Sequence, residues 1–260
     1  MIRSFIFNAQ GQLAGKPADA SQIAAVLADP ARFIWIDLEK PPEKDARALL
    51  EGVFHFHPIS VEDCIMVSPS PKVDDYTPGP DDKFAPYIFM VMHAVDYNRR
   101  DGKFATSELN FFLGKNYLVT YHDVPLRTIA TLEARVEKEA GRLAHGPDRL
   151  AHLLLDTLVE NYKPALDELS QEISELEQSA LHAPPRNMLD QLLGLKKEVR
   201  NLCRVIGPQS DVLARLATGE FKLIRPKLLP YFRNVRDDLT HIGQTAQGYV
   251  ESLTGILQVY

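Results

Sequence analysis

The chain has 260 residues, 45% of them hydrophobic and 25% charged, and carries a formal net charge of −6. That length and balance suffice to bury a sizeable core in one or two domains, while the acidic surplus excludes a general attraction to nucleic acid or anionic lipid and favours cations. Two cysteines far apart, Cys64 and Cys203, offer no disulfide framework and fit reduced thiols in a cytoplasm; a cysteine zinc site is nearly excluded. The apolar patch around Phe5-Ile6-Phe7 is too short for a signal peptide, and no run of eighteen apolar residues is present to span a bilayer.

Along the first 146 residues, short apolar runs alternate with helical patterns. Strands are expected at Ile2 to Phe7, Phe33 to Leu38, Tyr87 to Tyr97, Leu109 to Leu113 and Tyr117 to His122, where aromatic and β-branched residues suit a half-buried pleated surface. Helices are expected at Asp19 to Leu27, Glu43 to Phe54, Ser60 to Met66 and Leu126 to Ala140, with Asp19 or Ser21 capping the first and Pro42 opening the second. Interleaving of this kind predicts an α+β fold, with an α/β/α layered domain built on a mixed β-sheet. Asn98 to Gly102 reads as a hairpin turn. Pro69 to Pro86, with five prolines and Asp74, Asp75, Asp81 and Asp82, reads mostly as loop.

Beyond Gly146-Pro147-Asp148 the strand patterns stop. Leu155, Leu158, Tyr162, Ala165, Leu169, Ile173, Leu176 and Ala180 step by threes and fours, predicting one long helix bent at Pro164 and ended by Pro184-Pro185. A third helix from Arg186 carries Leu189, Leu192, Val199, Cys203 and Ile206, with Pro208 expected to kink or interrupt it, and the short link predicts an antiparallel hairpin with its predecessor. After Gly219 comes a regular stripe: Leu228, Phe232, Val235, Leu239, Ile242, Ala246, Tyr249, Leu253, Ile256 and Tyr260. Pro230 suits its first turn, and no capping residue follows Tyr260, so the helix is expected to run on past the given sequence. From Pro230 to Tyr260 it would be roughly 45 Å long. The expected division is 1–146, 147–220 and 221–260.

Enzyme chemistry finds little support. There is no complete phosphate loop, Gly114-Lys115-Asn116 lacking the rest of that motif, and no Gly-x-Ser-x-Gly elbow or His-Glu-x-x-His pair. His55 and His57 would share a face if extended, but no third zinc ligand is near and ordinary histidines are the blander reading. The acids between 69 and 86 miss the ligand order of an EF-hand. Glu62-Asp63 alone reads as a helix-surface pair. Asn234, Asp237 and Asp238 fall within one turn of the last helix and share a face, where Arg233 and Arg236 are partners for a solvated alternative.

Taken together, several motifs resemble the cytoplasmic part of the CorA family of divalent-cation transporters. Trp35-Ile36-Asp37-Leu38 with Pro41, Phe56-His57-Pro58 with Glu62-Asp63, Pro71-Lys72-Val73, Tyr76 and Tyr87-Ile88-Phe89 stand in that family's order. Asn116 to Thr120 is similar to its strand before the helical region, Leu153 to Leu166 to its lid helix, and Pro230-Tyr231-Phe232-Arg233 with Gly255 to Tyr260 to its stalk helix just before the membrane. The resemblance implies a C-terminal stalk helix continuing as the first transmembrane helix, a homopentamer on the cytoplasmic side of the inner or plasma membrane, and a pore with a Gly-Met-Asn loop beyond Tyr260. It implies no enzyme and no nucleic-acid partner. It also implies regulatory Mg2+, with Co2+, Ni2+ or Zn2+ as further cations, held between subunits by Glu62 and Asp63 and by the stalk. Bound cations would clamp the stalks in a closed state. The stalk position that is Asp in well-known members falls on Asn234, which loses a charge, and Asp237 or Asp238 one turn along would substitute. Ser170, Gln171 and Ser174 replace lid-helix acids, which puts a second ion site there in doubt. The alternatives are a ZntB-like zinc transporter domain, which the eight histidines support only thinly, and a soluble coiled-coil scaffold docking through the final stripe.

Overall fold

In a computed structural model of the chain, the described residues are 1–15, 19–66, 70–98, 103–182 and 186–259. The elements in order are β1 (Ile2–Phe7), β2 (Leu13–Gly15), α1 (Ala20–Ala28), β3 (Phe33–Glu39), α2 (Glu43–Leu50), α3 (Pro58–Ile65), β4 (Lys72–Tyr76), β5 (Tyr87–Asn98), β6 (Lys103–Gly114), β7 (Tyr117–His122), α4 (Arg127–Leu143), α5 (Pro147–Glu160), α6 (Tyr162–His182), α7 (Met188–Thr218), a 3-10 turn at Pro226–Leu228, and α8 (Leu229–Val259). The strands form one seven-stranded sheet in the order β2-β1-β3-β7-β6-β5-β4. Among the described residues only β3 and β7 pair in parallel, so the sheet is mixed.

Period-two alternation sorts the side chains of each strand between two cores. Ile34, Ile36 and Leu38 on β3, with Tyr87, Phe89 and Val91 on β5, face α1, α2 and α3. Phe33, Trp35, Ile88, Met90 and Phe111 face the other way, into a larger core that continues without a break through α4 to α8. The layered α+β reading therefore holds, with a small helical layer on one face and all the long helices on the other.

Five strands and four short helices occupy the expected places, with shifted ends. Asp19 caps α1, its side chain accepting from the Gln22 N–H. The β6 strand is much longer than Leu109 to Leu113, because its first half pairs with β5 out to Asn98↔Lys103. The intervening turn lies largely outside the described residues. The helix expected to Phe54 stops at Leu50; Phe54 and Phe56 turn inward and stack at 5.1 Å, with His55 between them at φ 57°.

The proline-rich stretch from 69 to 86 corrects the loop expectation, because β4 forms inside it as an edge strand. Its five residues pair with β5; Val73 enters the larger core, and Tyr76 stacks on Tyr87 at 4.8 Å on the opposite face. The bent helix around Pro164 is in fact two helices separated at Asn161. Pro164 falls in the first turn of α6, where its missing N–H has no intrahelical acceptor, and the Asn161 amide donates to Thr128 at 3.0 Å. Pro208 does not interrupt α7, which runs through it to Thr218; Val205, Ile206, Val212 and Leu213 are buried on either side, and that packing offsets the lost backbone bond.

The chief partner of α7 is α8 rather than α6. At their crossing Gly243 lies so close that a Cβ there would stand 2.9 Å from Ile206 Cγ2. The α8 stripe is buried at Leu228, Phe232, Val235, Leu239, Ile242, Ala246, Leu253 and Ile256, with Tyr249 only half-buried beside a buried Val250. Tyr260 and Pro184-Pro185 lie outside the described residues. No helix among the described residues is long and apolar enough to cross a membrane.

Candidate functional site

Glu62 and Asp63 ride on α3, a two-turn helix held at its start. Pro58 occupies the first turn and the His57 side chain accepts from the Ile59 N–H. The Ser60 hydroxyl donates to the His57 carbonyl at 2.8 Å and shares a 2.7 Å hydrogen bond with the Tyr87 hydroxyl. Phe56, just before, stacks on Phe112 at 4.3 Å. With Val61 and Cys64 buried beneath, Glu62 is left fully at the surface and Asp63 half-buried at the rim. There Lys72 of β4 meets Asp63 at 2.5 Å and Asp74 at 3.5 Å. The sequence shows Lys72 within the Pro71-Lys72-Val73 motif but not its pairing with Asp63, because only formation of β4 in a proline-rich stretch brings it to α3.

On α8 the side chains beside the buried stripe face outward. The Asn234 amide approaches the Asp238 carboxylate at 3.4 Å, a long contact, while Asp237 is engaged by Arg236 at 2.6 Å. Asp238 and Asn234 thus come together, and Asp237 is turned to a different partner. Behind them is a groove of 550 Å³ lined by Arg149, His152, Asp156, Tyr231 and Asn234, among others. Burial first, and the Asp238 charge second, hold the Asp156 carboxyl above its ordinary value despite the neighbouring arginines. His152 packs edge-on against Tyr231 and Phe232, and burial, then Arg149, push its pKa down to about 4. Asp156 was not singled out from the sequence because it sits in an otherwise apolar run of α5.

The two acidic sets lie on opposite faces of the sheet, α3 packing into the smaller core and α8 into the larger. One chain therefore does not bring Glu62 and Asp63 to Asn234, Asp237 and Asp238. Among the described residues no three His, Cys, Asp or Glu side chains converge on a metal position. The donors are all oxygens, which suits a hard cation such as Mg2+, but either set alone supplies too few for a closed protein cage. The His55 and His57 Nδ1 atoms are each engaged with local backbone, at Glu51 O and Ile59 N.

A buried polar network ties the sheet together on the α4 side. Asp37, 0% exposed, accepts from Thr120 Oγ1 at 2.6 Å and from Arg3 at 2.9 Å, and lies 3.2 Å from His122 Nε2. Arg3 also reaches Glu39 and Glu133, each at 2.7 Å. Burial alone would raise Asp37, yet His122, Thr120 and Arg3 outweigh it and hold the carboxyl below 3.8; burial would lower His122, and Asp37 outweighs that to raise it above 6.5. The charged network fixes β1, β3 and β7 beneath α4.

A mixed sheet carries three short helices on one face and long helices on the other, with oxygen-bearing side chains of α3 and α8 facing outward. The sequence model of the family described as CorA-like Mg2+ transporter protein matches residues 30–260. The chain belongs to this family. It is 27% identical over 215 residues to YfjQ of Bacillus subtilis (strain 168), covering 83% of this chain and 63% of that protein. It is 26% identical over 227 residues to the cobalt/magnesium transport protein CorA of Thermotoga maritima, covering 87% and 62% respectively. The chain thus spans a little under two thirds of these curated relatives. Among solved structures it matches the soluble domain of CorA from Methanocaldococcus jannaschii with a TM-score of 0.78 at 18% identity, over 99% of this chain and 95% of that one. The ZntB cytoplasmic domain from Vibrio parahaemolyticus matches with a TM-score of 0.69 at 17% identity, over 87% and 85%. At these identities the structural likeness is one of fold.

Proposed function

We propose that this chain is the cytoplasmic ion-sensing and gating part of a CorA-like Mg2+ transporter, working as a pentamer whose α8 stalks continue into the membrane. The proposed working parts are the layered domain to residue 146, the long helices of 147–220, and the stalk from 221. The observation that carries this is the separation of the two acidic sets on opposite sheet faces of a single chain, each at least half-exposed at its outer residues and, among the described residues, short of ligands. Such half-sites gain completion from a neighbouring copy. Mg2+ keeps much of its water and needs only one or two carboxylates, so a shared, weakly held ion converts repulsion between subunits into a clamp. Binding that favours the clamped arrangement shifts the population toward a closed pore, and loss of the ion frees the stalks.

Limited proteolysis and thermal melting of this chain against Mg2+ concentration test the reading. Mg2+ should protect, and Asp63→Ala should weaken the protection; protection unaltered by that change would remove Asp63 from the site. The same titration with Zn2+ separates the ZntB-like alternative, which predicts protection by zinc that is lost on changing His55 or His57. Co2+ and Ni2+ should follow Mg2+ at the carboxylates.

A further inference from the structure

On a chain of net charge −6, one cavity is basic. It has a volume of 470 Å³ and lies where the β6–β7 turn, the start of β3, the start of α5 and the link before α8 meet; Arg32, Lys115, His145, Asp148, Lys222 and Arg225 all line it. Four of these are lysines or arginines and one is an aspartate. Asp148 is wholly occupied. Its Oδ1 accepts from Arg225 Nη2 at 2.5 Å and from the Arg149 N–H, and its Oδ2 accepts from Arg225 Nε at 2.7 Å and from the Arg225 N–H. Arg32 is paired outside the cavity with Asp29 at 3.2 Å. Lys115 and Lys222 are exposed, and among the described residues neither has a carboxylate partner.

Arg225 is the fixed wall of the cavity. Its Nε edge is clamped by a carboxylate with 4% side-chain exposure, which leaves the N–H groups on its outer edge to donate elsewhere. Gly146, at φ 130°, permits this arrangement, because a Cβ there would stand 2.7 Å from Arg225 Nη2. Asp148 already answers the positive end of α5, so the uncompensated charge belongs to the two lysines. A planar arginine fork held from behind, with two exposed lysines lining the same cavity, matches a ligand bearing more than one anionic group. The volume is within the range of small-molecule pockets, about 300–1,000 Å³, and larger than a single phosphate fills.

We propose that this cavity binds a small polyanion of the pyrophosphate class, supplied as inorganic pyrophosphate or as the phosphate tail of a nucleotide. Arg225 holds one phosphate group through its outer N–H edge, and Lys115 and Lys222 close on the other. Gly114-Lys115-Asn116, which lacks the rest of a phosphate loop in sequence, meets the chemistry of one through tertiary convergence with residues more than a hundred positions away. Since Lys115 sits in the β6–β7 turn and Lys222 and Arg225 on the link between α7 and α8, the bound anion would tie that link to the end of the sheet.

Calorimetric titration of this chain with pyrophosphate and, separately, with ATP, at fixed ionic strength in the presence of a chelator, tests the site. Saturable binding of one equivalent is expected. The double variant Lys115→Ala, Lys222→Ala should lose about tenfold or more in affinity while its melting temperature without ligand stays put, and Lys227→Ala, outside the cavity, should bind as the parent does. Equal affinity for the two ligands assigns recognition to the diphosphate unit, and tighter ATP binding adds a nucleoside contact; both support the site. No saturable binding of either ligand, or undiminished binding by the double variant, overturns it.

Discussion

Lys72 Nζ stands 2.5 Å from Asp63 Oδ2, so the α3 acid proposed above to share a cation with a neighbouring copy is already paired within its own chain. On that proposal a divalent ion would have to displace this ammonium or share the carboxylate with it. Both side chains are about one-third exposed, which keeps the pair weak and the exchange reversible.

Replacing Lys72 with Met should therefore raise the apparent Mg2+ affinity. A partly exposed pair is worth about 0.2–1 kcal/mol, or up to roughly fivefold in binding. The readout is the Mg2+ concentration giving half-maximal protection from protease. A midpoint that stays where it is, or moves upward, would show that Lys72 does not compete with the ion.

Asn234→Asp should place a carboxylate next to Asp238, one turn along the same face. Without Mg2+ the new like-charge pair should cost a few tenths of a kcal/mol, about 0.2–0.5; with Mg2+ the variant should gain more thermal stability than the parent. Melting curves in chelator and in excess Mg2+ measure both arms, and an identical Mg2+ increment in the two proteins counts against a stalk ion at this position.

At the α7–α8 crossing, Gly243→Ala inserts a methyl 2.9 Å from Ile206 Cγ2, and overpacking of this kind costs about 1–3 kcal/mol. Gly248→Ala, with nothing within 4 Å, should instead gain up to about 1 kcal/mol from helix propensity. Urea midpoints of the two variants should move in opposite directions. If both rise, the crossing is looser than the Gly243 contact implies.

The buried pair His122 and Asp37 predicts a bell-shaped pH dependence of stability. His122 is raised when folded, so its contribution is full below its ordinary 6.5 and is lost as pH rises through the higher folded value. Asp37 is lowered when folded, so its contribution is present above its ordinary 3.8 and is lost as pH falls through the lower folded value. His122→Asn should cost about 1.5–3 kcal/mol where both partners are charged, since Arg3 and Thr120 still hold Asp37. The gap between parent and variant should narrow on the alkaline side. A gap that is constant from mildly acidic to alkaline pH would mean that His122 is neutral in the fold.

Much of the architecture was legible in the residues. The α8 stripe, the five long apolar strands and the Asp19 cap are local patterns, and each has one low-energy way to form. The misreadings have physical causes. Lys72 to Tyr76 carries two adjacent aspartates among prolines, and forms a strand only because β5 presents an unpaired edge with Tyr87 ready to stack on Tyr76. Pro164 reads as a kink within one stripe, since the stripe itself continues across the break at Asn161. Glu62, Asp63, Asn234, Asp237 and Asp238 were visible as acid or amide positions on helix faces, but periodicity carries no information about what faces them.

What the sequence by itself determined is therefore the set of elements, their apolar faces, and the family to which residues 30–260 belong. The tertiary structure alone decided that Lys72 neutralises Asp63, that Asp238 and not Asp237 meets Asn234, that the two acidic sets face away from each other, and that Lys115 joins Arg225 and Lys222 around one cavity. The reason is one of range: hydrophobic periodicity is set by neighbours within a turn or a pleat, whereas charge pairing depends on distances between segments that only the packed sheet and helices bring together.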